Sequence, residues 1–267
     1  MAKTTTRNIK DVELFLFDLD GTVYISGKEI EGSFAAVNAL RKMGKRICFF
    51  TNNSSRMHTD YIANLNSIGL RVYSDEIYTS GQVTCEYILD NYRGSKVYLL
   101  GNTRLRAEFD LYGIEVVDDD PDICVIGFDT TLTYDRLYQF CKFVKKGLPY
   151  IATHPDFNCP ADECPMPDVG AMMEAIRLTT GRTADFIMGK PHSIAGERIA
   201  KKYNLAPKQI AMVGDRLYTD IAFGKNCGFV SVLVLSGETT VQMKEESKVK
   251  ADYTIDSVKD ILELLKK

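Results

Sequence analysis

The sequence carries almost no net charge: across 267 residues, 33 Lys and Arg against 36 Asp and Glu leave −3 at pH 7. That balance excludes the basic face that holds nucleic acid or an anionic membrane surface, and neither partner is expected. No apolar stretch approaches the ~20 residues that cross a bilayer. The first ten residues, Met1 to Lys10, are polar and lack the apolar run of a signal peptide. Seven cysteines are an odd number, and Cys48, Cys124 and Cys141 fall in apparent strands or helices. They read as reduced core thiols of a cytoplasmic protein rather than a disulfide framework. Cys159 and Cys164 have no second pair at zinc-site spacing, and Gly27 with Gly32 form no dinucleotide fingerprint. Internal repeats and low-complexity segments are missing too. With 45% hydrophobic and 26% charged residues, the chain has the composition of a soluble globular protein with one large or two modest domains.

The stretch that organises this chain is Leu14-Phe15-Leu16-Phe17-Asp18-Leu19-Asp20-Gly21-Thr22. Four apolar residues bounded by a turn signal predict a buried strand of a parallel sheet. Ligands of such sheets bind beyond the carboxyl ends of the strands, where Asp18 stands. Strand alternation sends Asp18 and Asp20 to the same side. Two carboxylates this close repel each other unless a cation sits between them. A hard divalent ion with oxygen ligands, Mg²⁺ above all, resolves the repulsion. The plainer alternative is a strand ending in a solvated Asp-Leu-Asp-Gly turn.

Downstream, a helix is expected over Glu31 to Met43, closed by Gly44. A strand at Arg46 to Phe50 then ends in Thr51-Asn52-Asn53-Ser54-Ser55-Arg56. Alternation of strand and helix predicts an α/β fold with a doubly wound parallel sheet. A second block, beginning near Gly81, alternates in the same way. Its strands are expected at Lys96 to Gly101, Gly113 to Val117, Asp122 to Phe128 and Pro149 to Thr153. Its helix over Tyr134 to Lys145 carries Tyr134, Tyr138 and Phe143, which read as core. The segment His154 to Pro167 holds four of the eight prolines and reads as a long loop, not a helix or a central strand. The third block resumes at Asp185 and adds two polar strand ends: Lys190 after Phe186-Ile187-Met188, and Asp215 after Ile210 to Gly214, with Asp220 on the following helix. The simplest arrangement inserts the middle block into a sheet built from the first and third.

In a parallel sheet Asp18 and Asp20, Thr51 and Asn52, Lys190, and Asp215 with Asp220 can converge on one edge. Carboxylates, one ammonium and small hydroxyl or amide donors together suit a phosphate with a divalent metal. Taken singly, each has an ordinary reading. Asp215 serves as a helix N-cap, the Thr-Asn-Asn-Ser run as turn chemistry, Lys190 as a solvated lysine at a helix entry, and Asp220 as a surface carboxylate.

The motifs Asp18-Leu19-Asp20-Gly21-Thr22, Thr51-Asn52-Asn53, Lys190-Pro191 and Gly214-Asp215-Arg216-Leu217-Tyr218-Thr219-Asp220, in that order, resemble the haloacid dehalogenase superfamily. The long insertion between the second and third motifs, with Ala152-Thr153-His154-Pro155-Asp156, is similar to the NagD-like, para-nitrophenylphosphatase-type branch with its type IIA cap. The resemblance implies a Rossmann-like catalytic core from residues 1–80 and 184–267, and an inserted α/β cap from 81–183. It implies Mg²⁺-dependent hydrolysis of small phosphomonoesters (nucleoside monophosphates, sugar phosphates or similar metabolites) through a phosphoaspartate. Asp18 is then the nucleophile, and Asp20 the group that protonates the leaving alkoxide and later deprotonates water. Thr51 and the amides near Asn52 hold phosphoryl oxygens, and Lys190 offsets their charge and that of Asp18. The metal falls to Asp18, the main-chain carbonyl of Asp20 and Asp215, with Asp220 in support. His154 and Asp156 become candidates for contact with the leaving group, although relatives commonly have asparagine or serine where His154 stands. A homodimer through the cap is a further implication. Two other readings share residues with this one. A phosphotransferase or phosphomutase has the same core, but mutase-type caps usually follow the first motif. A receiver-like signalling domain uses a similar set, but is about half this length and lacks the Asp18/Asp20 pairing.

Overall fold

The computed structural model describes residues 7–161 and 163–266. Residues 1–6 of the polar N-terminal stretch, Asp162 of the proline-rich segment and Lys267 lie outside the described residues. The chain begins with β1 (Leu14–Phe17), a hairpin of β2 (Tyr24–Ile25) and β3 (Lys28–Glu29), α1 (Ser33–Lys42), β4 (Arg46–Thr51), α2 (His58–Ser67), β5 (Ile77–Thr79) and α3 (Ser80–Asn91). It continues through β6 (Val97–Leu100), α4 (Thr103–Leu111), β7 (Ile123–Ile126), α5 (Tyr134–Lys145), β8 (Tyr150–Ala152), a small hairpin of β9 (Asn158–Cys159) and β10 (Met166–Pro167), α6 (Val169–Thr180) and β11 (Phe186–Ile187). Last come α7 (Ile194–Tyr203), β12 (Ile210–Gly214), a π turn at Leu217–Ile221 leading into α8 (Ala222–Asn226), β13 (Val230–Val234), α9 (Val241–Glu246), β14 (Tyr253–Ile255) and α10 (Ile261–Lys266).

These elements divide into two compact units. One holds the residues up to Phe50, Ile62–Ile77 and the chain from Lys190 onward; the other holds Thr51–Tyr61 and Tyr78–Gly189. The first sheet has the order β14-β13-β12-β1-β4-β5, with β1 flanked in parallel by β12 and β4. All four residues of β1 are buried, as a central strand covered on both faces requires. Ring packing continues from it: Phe17 meets Phe49 at 6.1 Å between centroids, and Phe50 meets Phe223 at 5.4 Å. Helix α1 buries Phe34, Ala36, Val37 and Leu40 and leaves its last-turn Arg41 and Lys42 outside that stripe, near the negative end of the helix.

The second unit has its own four-stranded parallel sheet, β11-β8-β7-β6. Its core joins Tyr98, Ile126, Phe140, Tyr150 and Ile176. The expected parallel α/β architecture is therefore the one observed. Among the described residues, no helix is long and apolar enough to cross a membrane.

Four local expectations are corrected. Gly113 to Val117 makes one bridge, Val97 to Val116, and no strand. Gly113 closes α4 at φ +68°, and the Asp118-Asp119-Asp120 turn, with Asp120 at φ +52°, leaves too short a run between them. The proline-rich segment is not all loop. Cys159 pairs with Met166 and Asn158 with Pro167 in a two-residue antiparallel hairpin, a place where a missing N–H is tolerated. Tyr134 and Tyr138 are not core: they are 81% and 56% exposed and stack on each other at 6.5 Å. Phe143 is buried because it lies nine residues after Tyr134, about two and a half turns on, and so faces the opposite way. Finally, the strand before Lys190 belongs to the second sheet, since Phe186 and Ile187 pair with Ile151 and Ala152 of β8.

Candidate active site

In the first unit the polar groups gather where parallel strands end. Asp18 follows β1, and its amide donates to Val213 O of β12 at 2.9 Å. The same pairing brings Asp215, one residue past β12, beside it. Asp18, Asp215 and Asp220 offer carboxylate oxygens that all lie within 4.8 Å of one another. Asp220 is brought back by the π turn, where its Oδ2 accepts from the amide of Arg216 at 3.1 Å. Gly214 makes room for it, since a Cβ there would collide with the Asp220 carboxylate.

Lys190 neutralises part of this charge. Its Nζ donates to Asp18 Oδ1 at 2.6 Å, to Asp220 Oδ1 at 2.7 Å and to Phe50 O at 3.1 Å. The side chain is 1% exposed. Burial alone would pull its ammonium down, but Asp18 and Asp220 outweigh burial and hold it above the usual lysine range. The two buried carboxylates are raised as well, here by burial itself. Burial, then the charges of Asp18 and Asp220, push Asp215 up to about 7. Burial also lifts Asp220 to about 6, against the attraction of Lys190. With all three carboxylates ionised, one ammonium leaves two negative charges in excess, and that mutual repulsion is part of what raises Asp215 and Asp220. An all-oxygen donor set with that excess fits a hard divalent cation.

Asp20 stands outside the three-carboxylate cluster. The turn that carries it is tight: the amides of Thr22, Val23 and Tyr24 all point to Leu19 O, at 3.2, 2.9 and 3.3 Å. Gly21 occupies the left-handed region at φ +80° and faces the Asp215 carboxylate, so a Cβ would be both strained and obstructed there. Asp20 Oδ2 accepts from the Tyr24 hydroxyl at 3.2 Å.

Several groups that set this geometry were not singled out from sequence. Asp215 accepts from Thr22 Oγ1 at 3.4 Å and from the amide of Glu238 at 2.7 Å. Gly237 lies so close to the Asp215 carboxylate that a Cβ there would overlap it. Arg216 Nε pairs with Glu238 Oε2 at 2.9 Å, and Ser236 Oγ donates to Gly21 O at 2.8 Å. The available signal was the small Ser236-Gly237 pair just past the β-branched strand β13. Backbone donors leave no other mark in a sequence.

Thr51, Asn52, His154 and Asp156 all fall in the second unit. Thr51 closes β4, is buried, and accepts from the amide of Asn53 at 3.2 Å. Asn52 Nδ2 donates to both oxygens of Asp156, at 3.1 Å each. His154 is fully buried between two carboxylates: Nδ1 lies 3.7 Å from Asp156 and Nε2 3.6 Å from Asp168, the N-cap of α6. Both imidazole nitrogens thus face carboxylates. The loop folds under the start of α6, and Gly189 packs against His154 Cβ with no room for a side chain of its own.

Residues 15–115 match the model of the haloacid dehalogenase-like hydrolases, and residues 187–261 match a HAD-hydrolase-like model. The acid sugar phosphatase of Staphylococcus saprophyticus is 31% identical over 97% of this chain and 100% of its own length. The crystal structure of 4-nitrophenylphosphatase from Thermotoga maritima superposes with a TM-score of 0.93 at 42% identity, covering 96% of this chain and 98% of that one. NagD from Escherichia coli K-12 follows with a TM-score of 0.86 at 25% identity, over 93% of this chain and 98% of that one. The chain belongs to the haloacid dehalogenase-like hydrolases, in their NagD and 4-nitrophenylphosphatase branch of phosphatases.

Proposed function

We propose that the chain hydrolyses small phosphomonoesters, sugar phosphates foremost, by way of an aspartyl phosphate on Asp18. The observation that carries this reading is the setting of Asp18: one oxygen on the buried Lys190 ammonium, within 4.8 Å of the Asp215 and Asp220 carboxylates. In the first displacement an Asp18 oxygen bonds to phosphorus. The ester P–O bond breaks toward the leaving oxygen, which takes a proton from Asp20. In the second, Asp20 takes a proton from water as the water oxygen bonds to phosphorus. The bond from phosphorus to Asp18 breaks, returning the carboxylate and releasing orthophosphate. Lys190 offsets negative charge on Asp18 and the phosphoryl group throughout.

In this reading the catalytic core is residues 1–80 with 190–267, and the cap is 81–189, which takes in the strand Phe186–Ile187 of the second sheet. Thr51 and the amides near Asn52 bind phosphoryl oxygens. Asp156 acts with Asn52, which it holds by two hydrogen bonds. Mg²⁺ is the fitting metal, held by Asp18, the Asp20 carbonyl and Asp215, with Asp220 in support. Bound there, it supplies charge neutralisation for the phosphoryl oxygens. Free thiols at Cys48, Cys85, Cys124 and Cys141 support a cytoplasmic setting, and the exposed Tyr134–Tyr138 pair supports a homodimer through the cap.

The direct test is phosphate release from para-nitrophenyl phosphate and a panel of sugar phosphates, with Mg²⁺ and with chelator. Release is expected only with the metal, with one or a few sugar phosphates preferred. Equal release in chelator would sink the metal assignment. A companion variant reads the Asp215 cradle. In Gly237→Ala the added Cβ displaces the carboxylate, and the Mg²⁺ concentration for half-maximal activity is expected to rise at least about tenfold. Titrating Mg²⁺ against both activity and thermal stability checks this; superimposable curves for variant and wild type would refute it.

A further inference from the structure

Two of the three clustered carboxylates are held by one residue that the mechanism above does not use. Arg216 directly follows Asp215 and leads into the π turn. Its amide donates to Asp220 Oδ2 at 3.1 Å. Its guanidinium reaches the loop between β13 and α9, where Nε pairs with Glu238 Oε2 at 2.9 Å. The amide of that same Glu238 donates to Asp215 Oδ2 at 2.7 Å. The chain of contacts from the Arg216 side chain thus returns to the carboxylate next to it. The other Glu238 oxygen accepts from the Tyr218 hydroxyl at 2.7 Å, so the segment after Asp215 grips this side chain twice. That grip matters because β13 stops at Val234, and no strand ladder fixes the Glu238 amide.

We propose that Arg216 is a positioning residue for the metal ligands, holding Asp215 through Glu238 and Asp220 through its own amide. Their carboxylate oxygens, within 4.8 Å of each other, then stay within reach of one cation. Outer partners of this kind orient the ligands, and their loss weakens metal binding ~10–100-fold. The same guanidinium has a competing role as a balancing charge. Burial alone would pull it down, but the charges of Glu238 and Asp18 outweigh burial and hold it above the usual arginine range. The two roles differ in sign. A guanidinium acting by charge alone repels a divalent ion, so its removal tightens binding. One that positions the ligands weakens binding when it is removed.

This inference rests on the reading of the cluster as a divalent metal site. The measurement is calorimetric titration of Mg²⁺ into metal-stripped protein, with melting curves in chelator beside it. In Arg216→Met the Kd for Mg²⁺ is expected to rise at least about tenfold. A Kd that falls or stays at the wild-type value would overturn the proposal. A lower melting temperature with an unchanged Kd would overturn it too, by making the pair structural only. Glu238→Gln and Glu238→Ala repeat the test, and decide it even where Arg216→Met fails to fold. Both remove the same charge, but only glutamine keeps an acceptor for the guanidinium. Alanine is expected to raise the Kd several-fold above glutamine; equal values would refute the positioning role. The double variant Arg216→Met with Glu238→Ala is expected to bind no more weakly than the weaker single variant, since both cut one path. A double variant that returns to the wild-type Kd would instead assign Arg216 to charge balance. Wild-type protein that binds no Mg²⁺ would remove the metal reading itself, and this inference with it.

Discussion

Replacing Asp18 by asparagine is expected to lower kcat at least about 10⁴-fold, in the range seen when a covalent nucleophile is removed. The substitution keeps shape, removes one negative charge and replaces the attacking carboxylate by an amide whose oxygen is a poor nucleophile. Lys190 loses one ion-pair partner but retains Asp220 Oδ1 and Phe50 O as acceptors. At the same time the three-carboxylate cluster becomes a pair, which relieves repulsion. The two effects oppose each other, so the melting temperature is expected to stay near that of wild type. Initial-rate assays on para-nitrophenyl phosphate, with a melting curve beside them, check both parts. Turnover within tenfold of wild type would remove Asp18 from the role of nucleophile.

Lys190→Met is expected to do the reverse, harming stability as well as activity. The ammonium is the direct ion-pair partner of both Asp18 and Asp220, and it is buried with them. Removing one member of a buried ion pair leaves uncompensated charge and costs ~3–5 kcal/mol. Without metal, that translates to a melting temperature lower by roughly 6–20 °C, at about 2–4 °C per kcal/mol for a chain of this size. Mg²⁺ is expected to restore part of the loss, because a divalent cation answers the same excess of carboxylates. Activity is expected to fall by roughly 10²–10³-fold, the effect of deleting one preorganised electrostatic group. Calorimetry in chelator and in Mg²⁺ separates the two contributions. A variant as stable as wild type in chelator would show that the ammonium does not hold the cluster together.

Much of the first sheet was legible because its strands are short apolar runs cut off by polar residues. The edge of β1 reads directly from Phe17-Asp18, and that of β12 from Val213-Gly214-Asp215. Asp220 was named with them, and the structure brings its carboxylate to the same place. Lys190 reaches that cluster by a different path from the one its sequence suggests. The strand before it pairs in the second sheet, and the chain crosses into the first unit at Lys190 itself. Periodicity misread α5 because Tyr134 and Tyr138 share one face while Phe143 lies on the other, a distinction that a count of aromatic residues misses. His154 next to proline reads in sequence as a loop residue open to ligand; its carboxylate neighbour Asp168 lies fourteen positions later in sequence order but in space at 3.6 Å. The Gly237–Glu238 cradle escaped notice because its contribution is an amide and an absent Cβ.

The central claim is a covalent bond between Asp18 and phosphorus, and trapping it is the most direct test. Asp20→Asn lacks the base for the second displacement, so its phosphoenzyme is expected to outlive that of wild type. Rapid acid quench after mixing with radiolabelled phosphomonoester, followed by peptide mass spectrometry, is expected to find one phosphate per chain on the peptide holding Asp18. The Asp18→Asn protein is expected to carry none. Label on another residue, or phosphate released with no labelled protein at any time, would contradict the account.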